Sequence, residues 1–474
     1  MLLFVIFQDP LYMALEKERG IKPMVMLGKK VLEVGYADDT NIFTGDDCSF
    51  VAIFELLNKF ERASNSKINI KKTKVYGFGR WNARVNWPIG GIKVELDYFS
   101  TLGITFSVDY NLALETMWNT VCIKIKKRIP LIVNRNFTLF QKAAISNCLL
   151  ASKLWYISHI YPLPVKYAIL FNQEIFYFIW GSRTNPIKRD TLYNNKYNGG
   201  IGLINIEMKC KSILVCDVIK RFLFSERHDI IRYYMYRRIS HLFSMSLAPI
   251  KVSCVNTPYY ENTVMTIKKC KDHKKFPNLK PKDVYELLVH PNRPNIESLY
   301  PNYDWANIWQ NLNFRYMNVM SRNIMYKYLN DVLPNYKRLN QIRISDSPYC
   351  RYCDGSEDSN VHRFYFCGLV QESLNFMKRI IFYFSGVQAN SLLSMLMLDI
   401  PKIEKKNKNC LIILISGYIS SIWLHREDPE NFKHIVKANV IKNQRFHMQL
   451  LGRKAISVFP DNYCNMDLRV INNM

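Results

Sequence analysis

The chain has 474 residues, of which 49% are hydrophobic and 14% aromatic, so it can bury several cores and is not a disordered polypeptide. Its formal net charge is +26 at pH 7. Residues 1–110 are nearly balanced, with 14 Lys/Arg and 13 Asp/Glu, whereas the rest of the chain holds 51 Lys/Arg and 26 Asp/Glu. This excess favours a nucleic-acid partner over a membrane surface.

The cysteines and the apolar segments exclude several other classes of protein. Twelve cysteines are scattered along the chain, which is unlike a secreted disulfide framework and indicates an intracellular, reducing compartment, nuclear and/or cytoplasmic. The apolar start, Met1–Phe7, lacks the basic region and the cleavage site of a signal peptide. Cys410–Leu424 is too short to span a membrane and predicts a buried helix.

The first predicted elements are a helix and a β-hairpin. Residues 1–20 repeat apolar side chains at helical spacing, and Pro10 should bend or break that helix. Lys30–Gly35 and Thr40–Thr44 are rich in β-branched and aromatic residues, which predicts two strands with Tyr36-Ala37-Asp38-Asp39 between them. An Asp-Asp pair also favours a turn without any further role.

The two neighbouring carboxylates of Asp38 and Asp39 repel each other, so burying them requires a cation. Polymerases use carboxylates to hold two divalent metals about 3.5–4 Å apart, which activate a hydroxyl and stabilise the leaving pyrophosphate. Asp38 and Asp39 are therefore candidate ligands of Mg²⁺ or Mn²⁺.

Three further segments follow the hairpin in order. An apolar-periodic helix is predicted over Phe50–Ala63. It is followed by Ser66-Lys67-Ile68-Asn69 and by Lys71-Lys72-Thr73-Lys74-Val75. Leu102-Gly103-Ile104 is expected to lie on a strand of the same small sheet as the hairpin, where the glycine permits close backbone approach.

Residues 111–180 read as helices and carry eight basic and two acidic residues. Aromatic side chains such as Trp118, Phe140 and Trp155 are interleaved with the basic ones. This composition suits a surface that lies along a nucleic-acid duplex, although a solvated helix face over an ordinary core gives the same pattern. The basic candidates are Lys124, Lys126, Lys127, Arg128, Arg135 and Lys142.

A Cys/His group near the C-terminal third is the sharpest local signal. Cys350, Cys353, His362 and Cys367 lie within eighteen residues, with two, eight and four residues between successive members. Thiolates and an imidazole at this spacing are typical of a closed, tetrahedral and structural Zn²⁺ site. Chance clustering of buried cysteines is the alternative. The glycine-rich segment Asn198–Leu203 lacks the Lys-Ser/Thr of a phosphate loop and predicts a turn.

Taken together, the YxDD hairpin, the helix, K-I-N…K-T and L-G-I resemble the end of the palm of a reverse transcriptase, most closely that of LINE-type (non-LTR) retrotransposons. The Cys/His group resembles the C-terminal zinc knuckle of that family. The resemblance implies an α+β fold: a small antiparallel palm sheet remnant, then a mostly α-helical thumb and C-terminal region with a small zinc knuckle. The implied segments are 1–110 for a partial palm, 111–180 for the thumb, 181–345 for a basic helical connector, 346–370 for the zinc knuckle and 371–474 for a helical tail.

The resemblance also implies roles for individual residues. Asp38 and Asp39 would hold Mg²⁺ or Mn²⁺ for RNA-directed DNA synthesis by two-metal nucleotidyl transfer, and Lys67 or Lys72 would give a proton to pyrophosphate. The implied partners are an RNA template and a DNA primer or target, with no membrane. The residues expected to contact nucleic acid are Tyr36, Lys74, Leu102, Gly103 and the basic candidates of residues 111–180.

A palm of this family needs a third carboxylate on a strand upstream of the hairpin. Asp9 is the one aspartate before Asp38, and it falls in the predicted helix. The fingers would lie upstream as well. We therefore expect the chain to be the C-terminal part of a larger polymerase, truncated at its N-terminus and inactive alone. A nucleic-acid-binding protein without enzymatic activity and a decayed transposon reading frame are the alternatives.

Overall fold

The structure is a computed structural model that describes residues 2–26, 28–36, 39–133, 135–224, 235–236, 239–243, 258–290, 292–353, 355–388, 392–427 and 431–474. These residues are mostly helical with a few small sheets, which agrees with the α+β class expected from the sequence. Asp38 and Ala37, at the tip of the predicted hairpin, lie outside the described residues.

The described strands form four separate two-stranded sheets. Three pairs are antiparallel, and β5 with β6 is parallel. The strands are β1 (Met24–Met26), β2 (Lys29–Val31), β3 (Glu33–Tyr36), β4 (Asp39–Ile42), β5 (Lys74–Tyr76), β6 (Lys93–Glu95), β7 (Phe99–Thr101) and β8 (Ile104–Phe106).

The helices up to residue 224 lie before, between and after these strands along the sequence. They are α1 (Leu2–Lys17), α2 (Asp47–Ser64), α3 (Tyr110–Val133), α4 (Leu139–Ile145), α5 (Ser152–Ser158), α6 (Val165–Trp180), α7 (Arg189–Tyr193) and α8 (Ile206–Phe224). A π-helical turn, Ser146–Ala151, joins α4 to α5.

The helices after residue 257 complete the described chain. They are α9 (Pro258–Cys270), α10 (Pro281–Leu288), α11 (Asn295–Leu299), α12 (Trp305–Leu312), α13 (Val319–Leu329), α14 (Tyr336–Gln341), α15 (Gln371–Ser385), α16 (Leu392–Leu396), α17 (Lys405–Leu424), α18 (Phe432–Leu451), α19 (Ala455–Val458), α20 (Asp461–Cys464) and α21 (Leu468–Asn473). None of the helices in the described part of the chain is both long and apolar enough to cross a membrane.

The chain divides into two compact units. The first comprises residues 1–132, 150–174 and 206–289, and the second comprises residues 133–149, 175–205 and 290–474. The predicted thumb segment, 111–180, thus contributes residues to both units. The division into palm, thumb, connector and tail stays a prediction.

Two apolar clusters stabilise the first unit. Leu11 and Leu15 of α1 pack with Ile53 of α2, next to the hairpin strands β3 and β4. A second cluster lies between α8, α9 and α10. Each fully buried aliphatic side chain contributes about 1.5–3 kcal/mol. The α1–α2 cluster, which also contacts Leu32 and Ile42, therefore supports the β3–β4 hairpin, which two strands alone could not stabilise.

Helix α2 begins three residues before its predicted start. Asp46 is its N-cap, and the Asp46 carboxylate accepts hydrogen bonds from Ser49 N at 2.8 Å and from Ser49 Oγ at 2.6 Å. Lys22 Nζ lies 2.9 Å from the same carboxylate. These contacts satisfy the free amide at the helix start, and they lower the pKa of Asp46 well below its usual range.

The prediction that Leu102-Gly103-Ile104 lies on a strand of the same sheet as the hairpin is wrong. Strand β7 pairs with β8, Thr101 is opposite Ile104, and Leu102 and Gly103 form the two-residue turn between them. Both turn residues have positive φ, +50° and +78°, as a type I′ turn requires. Leu102 and Gly103 therefore form the tip of a second hairpin, β7–β8.

The hairpin β3–β4 is held by contacts to its neighbours. Tyr12 of α1 lies against it, with Oη 2.9 Å from Thr40 Oγ1. Gly35 of β3 lies against the Tyr12 side chain, and a Cβ atom at Gly35 would be only 2.1 Å from Tyr12 Oη. On the other side, Asn41 Nδ2 donates to Thr101 Oγ1 at 3.0 Å. The orientation of this hairpin thus depends on a tyrosine that requires a glycine opposite it.

We expect Gly35→Ala to loosen the hairpin, because the added methyl group overlaps Tyr12 and overpacking of this kind costs about 1–3 kcal/mol. The measurement is hydrogen exchange of the amides in residues 33–42. Tyr12→Ala in the same chain should remove the overlap and restore part of the protection. Gly45→Ala is the matched control, since its new methyl group would meet nothing closer than 3.8 Å. Equal protection in Gly35→Ala and Gly45→Ala would contradict the prediction.

Candidate metal centre

Of the two candidate metal ligands at the hairpin tip, Asp39 is the one that lies in the described residues. It is opposite Tyr36 in the antiparallel register, so two residues connect the strands. Its side chain is exposed, as is that of Tyr36. Lys67 and Lys72 are also exposed, in the loop between α2 and β5, and no described hydrogen bond or ion pair joins either of them to Asp39. The hairpin itself was predicted correctly, but these catalytic candidates are not brought together in the described residues.

The basic candidates fall into two groups. Lys124, Lys126, Lys127 and Arg128 of α3 are exposed, and so is Arg135. Lys126 Nζ lies 3.7 Å from Glu174. By contrast, Lys142 is half-buried, and its Nζ donates to the Ile179 carbonyl at 3.2 Å.

Lys142 and Lys74, like Lys126, contact other groups of the protein. Burial lowers the pKa of Lys142. Lys74 Nζ lies 2.7 Å from Glu95. Lys142 and Lys74 are thus occupied by contacts within the protein.

Leu102 and Gly103 lie at the tip of the second hairpin, where the Leu102 carbonyl accepts a hydrogen bond from Tyr156 Oη at 2.9 Å.

The four residues Cys350, Cys353, His362 and Cys367, hereafter the Cys/His cluster, converge as predicted. One ligand atom of each lies within 4.8 Å of the others. The Sγ atoms of Cys353 and Cys367 are 3.6 Å apart. Two thiolates about 2.3 Å from one tetrahedral metal would lie roughly 3.8 Å apart, so this separation fits a shared ion. In the described part of the chain, no other group of three or more His, Cys, Asp or Glu side chains is placed to hold a metal.

His362 provides an independent sign that a ligand is needed. Its side chain is buried, and Nε2 has no hydrogen-bond partner among the described residues. Burial lowers the pKa of the imidazole, which favours the neutral form with a lone pair. A buried polar atom without a partner costs about 1–3 kcal/mol, and a metal ion would remove that cost. The donor set and this unpartnered nitrogen together fit a metal ion.

The local fold explains how four residues separated in sequence meet. Tyr349 forms an antiparallel bridge with Glu357, and Cys350 N donates to the Ser356 carbonyl at 2.9 Å, which closes the segment between Cys350 and the turn at Gly355. The chain then enters a helical turn that begins at Asn360.

The second pair of ligands comes from the helical turn that follows. His362 begins a π-helical stretch, His362–Phe366, and Cys367 N donates to the His362 carbonyl at 2.7 Å. Residues 354–361 show no apolar periodicity, which predicts a loop. The described residues of this segment form a loop only as far as Ser359, because the helical turn begins at Asn360, two residues before the histidine.

Contacts beneath the cluster fix it to the second unit. The buried Asp358 carboxylate accepts from Tyr336 N at 2.8 Å and forms an ion pair with Arg363, whose Nε lies 3.0 Å away. Phe364 is fully buried, and its carbonyl accepts from Tyr418 Oη of α17 at 2.9 Å. Sequence reasoning missed these supporting residues, because none of them carries a spacing signal.

The aromatic residues beside the ligands separate into two kinds. Phe364 packs edge-on against Tyr328, with 5.2 Å between ring centroids. Tyr352 and Phe366 remain 53% and 61% exposed. Of these three aromatic side chains, Phe364 is buried by packing, whereas Tyr352 and Phe366 expose ring surface to which another partner could bind.

The thiols must lose protons before they can bind a metal. Burial is the main cause that raises the pKa of Cys367 to about 12, and the neighbouring thiols Cys353 and Cys350 add to it. A cation among them reverses this effect by favouring the thiolates. Metal binding at the Cys/His cluster therefore releases protons.

Comparison with protein-family models and with curated protein sequences returned no match to this chain.

We expect the reduced, metal-free chain to bind Co²⁺ at the Cys/His cluster with the intense absorption of thiolate–cobalt bonds. Cys353→Ser should abolish most of that absorption, whereas Cys464→Ser should leave it unchanged, since Cys464 lies outside the cluster. Because bound protons compete with the metal, the affinity should fall as the pH is lowered. Equal spectra for the two variants would contradict a metal centre at these residues.

Proposed function

We propose that this chain is the C-terminal part of an RNA-directed DNA polymerase of the LINE type, with the palm end in the first unit and a structural Zn²⁺ at the Cys/His cluster. The observation that carries the proposal is the β3–β4 hairpin, in which Tyr36 is opposite Asp39 and two residues form the connection. In the proposed function, Asp38 and Asp39 meet the primer end, since a pair of carboxylates can hold a divalent metal.

The second hairpin supports the same assignment. Asn41 of β4 donates to Thr101 of β7, so the two tips belong to one assembly of short strands. Tyr156 and Tyr161 donate to the carbonyls of Leu102 and Thr105, at 2.9 Å and 2.7 Å. In the proposed function, the Leu102-Gly103 tip contacts the primer backbone, since a glycine permits close approach.

Zinc is the metal that best suits the Cys/His cluster. Three thiolates and one imidazole form a complete tetrahedral set that leaves no position for water, so the site is structural and not catalytic. Its proposed role is to hold the segment from Cys350 to Cys367 against α14 and α17, where it can contact nucleic acid.

Binding without catalysis is the second candidate function, and the charge distribution favours it. The excess of Lys/Arg lies after residue 110, and α3 exposes four basic side chains within five residues, Lys124 to Arg128. Asp39 belongs to no described group of three metal ligands. A chain of this kind binds template and primer through phosphate contacts even when it cannot join nucleotides.

We expect the isolated chain not to extend a DNA primer on an RNA template efficiently, because two-metal transfer requires more carboxylates than Asp39 and its neighbour supply. The measurement is primer extension with Mg²⁺ or Mn²⁺, with Asp39→Asn as the test variant and Asp47→Asn as the control. Asp47 lies in the first turn of α2 and pairs with Arg84. Efficient extension that Asp39→Asn abolishes and Asp47→Asn preserves would refute the expectation and establish the enzyme.

We expect the chain to bind nucleic acid with a steep dependence on salt. Each phosphate contact contributes about −0.9 to the slope of log affinity against log salt on duplex DNA, and about −0.7 on single strands. Lys124→Gln with Lys127→Gln should therefore reduce the magnitude of the duplex slope by up to about two.

The matched control removes the same charge elsewhere. Lys166→Gln with Lys282→Gln affects lysines already paired, at 3.0 Å with Glu115 and 3.7 Å with Glu286. It should change the slope by much less. An affinity that does not vary with salt, or an equal effect of both double variants, would count against α3 as a nucleic-acid surface.

A further inference from the structure

A cavity of about 250 Å³ lies directly beside the Cys/His cluster. Cys350 and Cys367 form part of its wall, so the cavity and the metal centre share two residues. Leu369 and Val370, which follow Cys367 in the chain, contribute an apolar surface. This volume equals roughly eight water molecules, which suits one planar ring system and is too small for a stacked pair.

The side chains around the cavity combine aromatic rings with arginines. The guanidinium of Arg351 lies 4.7 Å from the centroid of the Tyr336 ring. Tyr352, the next residue, lines the same cavity with a ring that is half exposed. Exposed rings and planar guanidinium groups are the surfaces on which unpaired bases stack.

The charges at the cavity are unequally compensated. Asp358 pairs with Arg363, and Glu427 lies 3.5 Å from Arg426. Arg351 has an exposed side chain, and no described carboxylate pairs with it. One arginine at the cavity is therefore available for an anionic group, and a phosphate next to a stacked base would satisfy it.

We propose that this cavity binds one unpaired nucleotide of a single-stranded nucleic acid, with the base against Tyr352 and the apolar wall and its phosphate on Arg351. The inference rests on the proposed function in one respect, namely that the chain binds nucleic acid. It goes further in assigning a base-stacking subsite to the second unit, separate from the basic surface of α3. The ligand is recognised as a nucleotide in RNA or in DNA, since base and phosphate are common to both.

The arrangement also explains why an exposed tyrosine and an uncompensated arginine stand next to a metal centre. The bridge between Tyr349 and Glu357 holds the backbone before Arg351, and a metal bound to Cys350 and Cys353 would hold it on both sides of Arg351 and Tyr352. A side chain on a fixed backbone loses less conformational freedom on binding. In this proposal, the metal centre positions the two residues that contact the nucleotide.

The test uses the full chain loaded with zinc and a short single-stranded oligoadenylate that carries one 2-aminopurine, made in ribo and deoxyribo forms. Binding should quench the fluorescence of 2-aminopurine, because the base stacks on an aromatic ring. Quenching with either form supports the proposal and identifies which nucleic acid is preferred. Tyr352→Ala should abolish the quenching and weaken single-strand affinity at least about fivefold, the lower limit for loss of one base–aromatic stack.

Matched variants distinguish the effect of residues that line the cavity from that of nearby residues outside it. Tyr349→Ala removes a ring of equal exposure, 52% against 53%, that does not line the cavity, and it should leave the quenching unchanged. Arg351→Gln should weaken binding, whereas Arg343→Gln, on the surface outside the cavity, should not. The cobalt spectrum of each variant reports whether the metal centre is intact, and duplex affinity reports whether the basic surface is intact.

Three results would overturn the proposal. The first is quenching that survives in Tyr352→Ala, and the second is an equal loss in Tyr349→Ala and Tyr352→Ala. The third is displacement of the oligonucleotide by an acidic, tyrosine-containing peptide from the wild-type chain but not from Tyr352→Ala, together with a larger rise in the melting temperature of the protein with the peptide than with the oligonucleotide. That result would assign the cavity to a protein partner. If salt-dependent binding persists while these results are found, the proposed function stands and the subsite falls. If no nucleic acid binds at low salt, both fall.

Discussion

The second unit depends on the burial of one helix, α17. All its residues from Asn409 to Trp423 are buried, so hydrogen bonds within the protein stabilise the polar groups on it. Tyr418 donates to the Phe364 carbonyl, and Ser420 lies 2.9 Å from Ser321 of α13. At Gly417, α18 approaches so closely that a Cβ atom would meet Asn439 at 3.1 Å. The polar side chains of an apolar helix thus fix which elements can pack on it, and one of those elements carries the Cys/His cluster.

This dependence joins the candidate metal centre to the core. The helical turn that provides His362 is bonded to α17, and the buried Asp358 ties the preceding segment to α14 through Tyr336 N and Arg363. A metal ion would close the remaining side, where the His362 imidazole has no described partner at Nε2. The cluster is thus a part of the second unit and not a separate appendage. Its position lets it hold exposed groups such as Arg351 and Tyr352 on a rigid base.

The hairpins of the first unit follow a different principle. Their strands are three or four residues long and would not be stable alone. Single side-chain contacts from helices hold them, Tyr12 from α1 on one side and Tyr156 and Tyr161 from residues 152–161 on the other. Asp39 at one hairpin tip and Gly103 at the other are exposed. The fold therefore leaves Asp39 accessible, while Tyr12 of α1 positions the hairpin that carries it.

The sequence by itself determined the elements whose signals are local. Alternation around Asp38-Asp39 predicted the β3–β4 hairpin, the apolar run at Cys410–Leu424 predicted a buried helix, and the spacing of three cysteines and a histidine predicted their convergence. Each of these signals lies within about twenty residues, where chain geometry limits the possible arrangements.

Only the tertiary structure decided which groups support those elements and which are already occupied. Leu102 and Gly103 lie at a turn and not on a strand, because two residues with positive φ close β7 onto β8. Lys142 turned inward to a carbonyl, and Lys74 pairs with Glu95 from a strand about twenty residues later. The cavity at Arg351 and Tyr352 is formed by segments more than ninety residues apart in the chain. Contacts of this kind depend on the packing of distant elements, which periodicity and spacing along a single sequence do not encode.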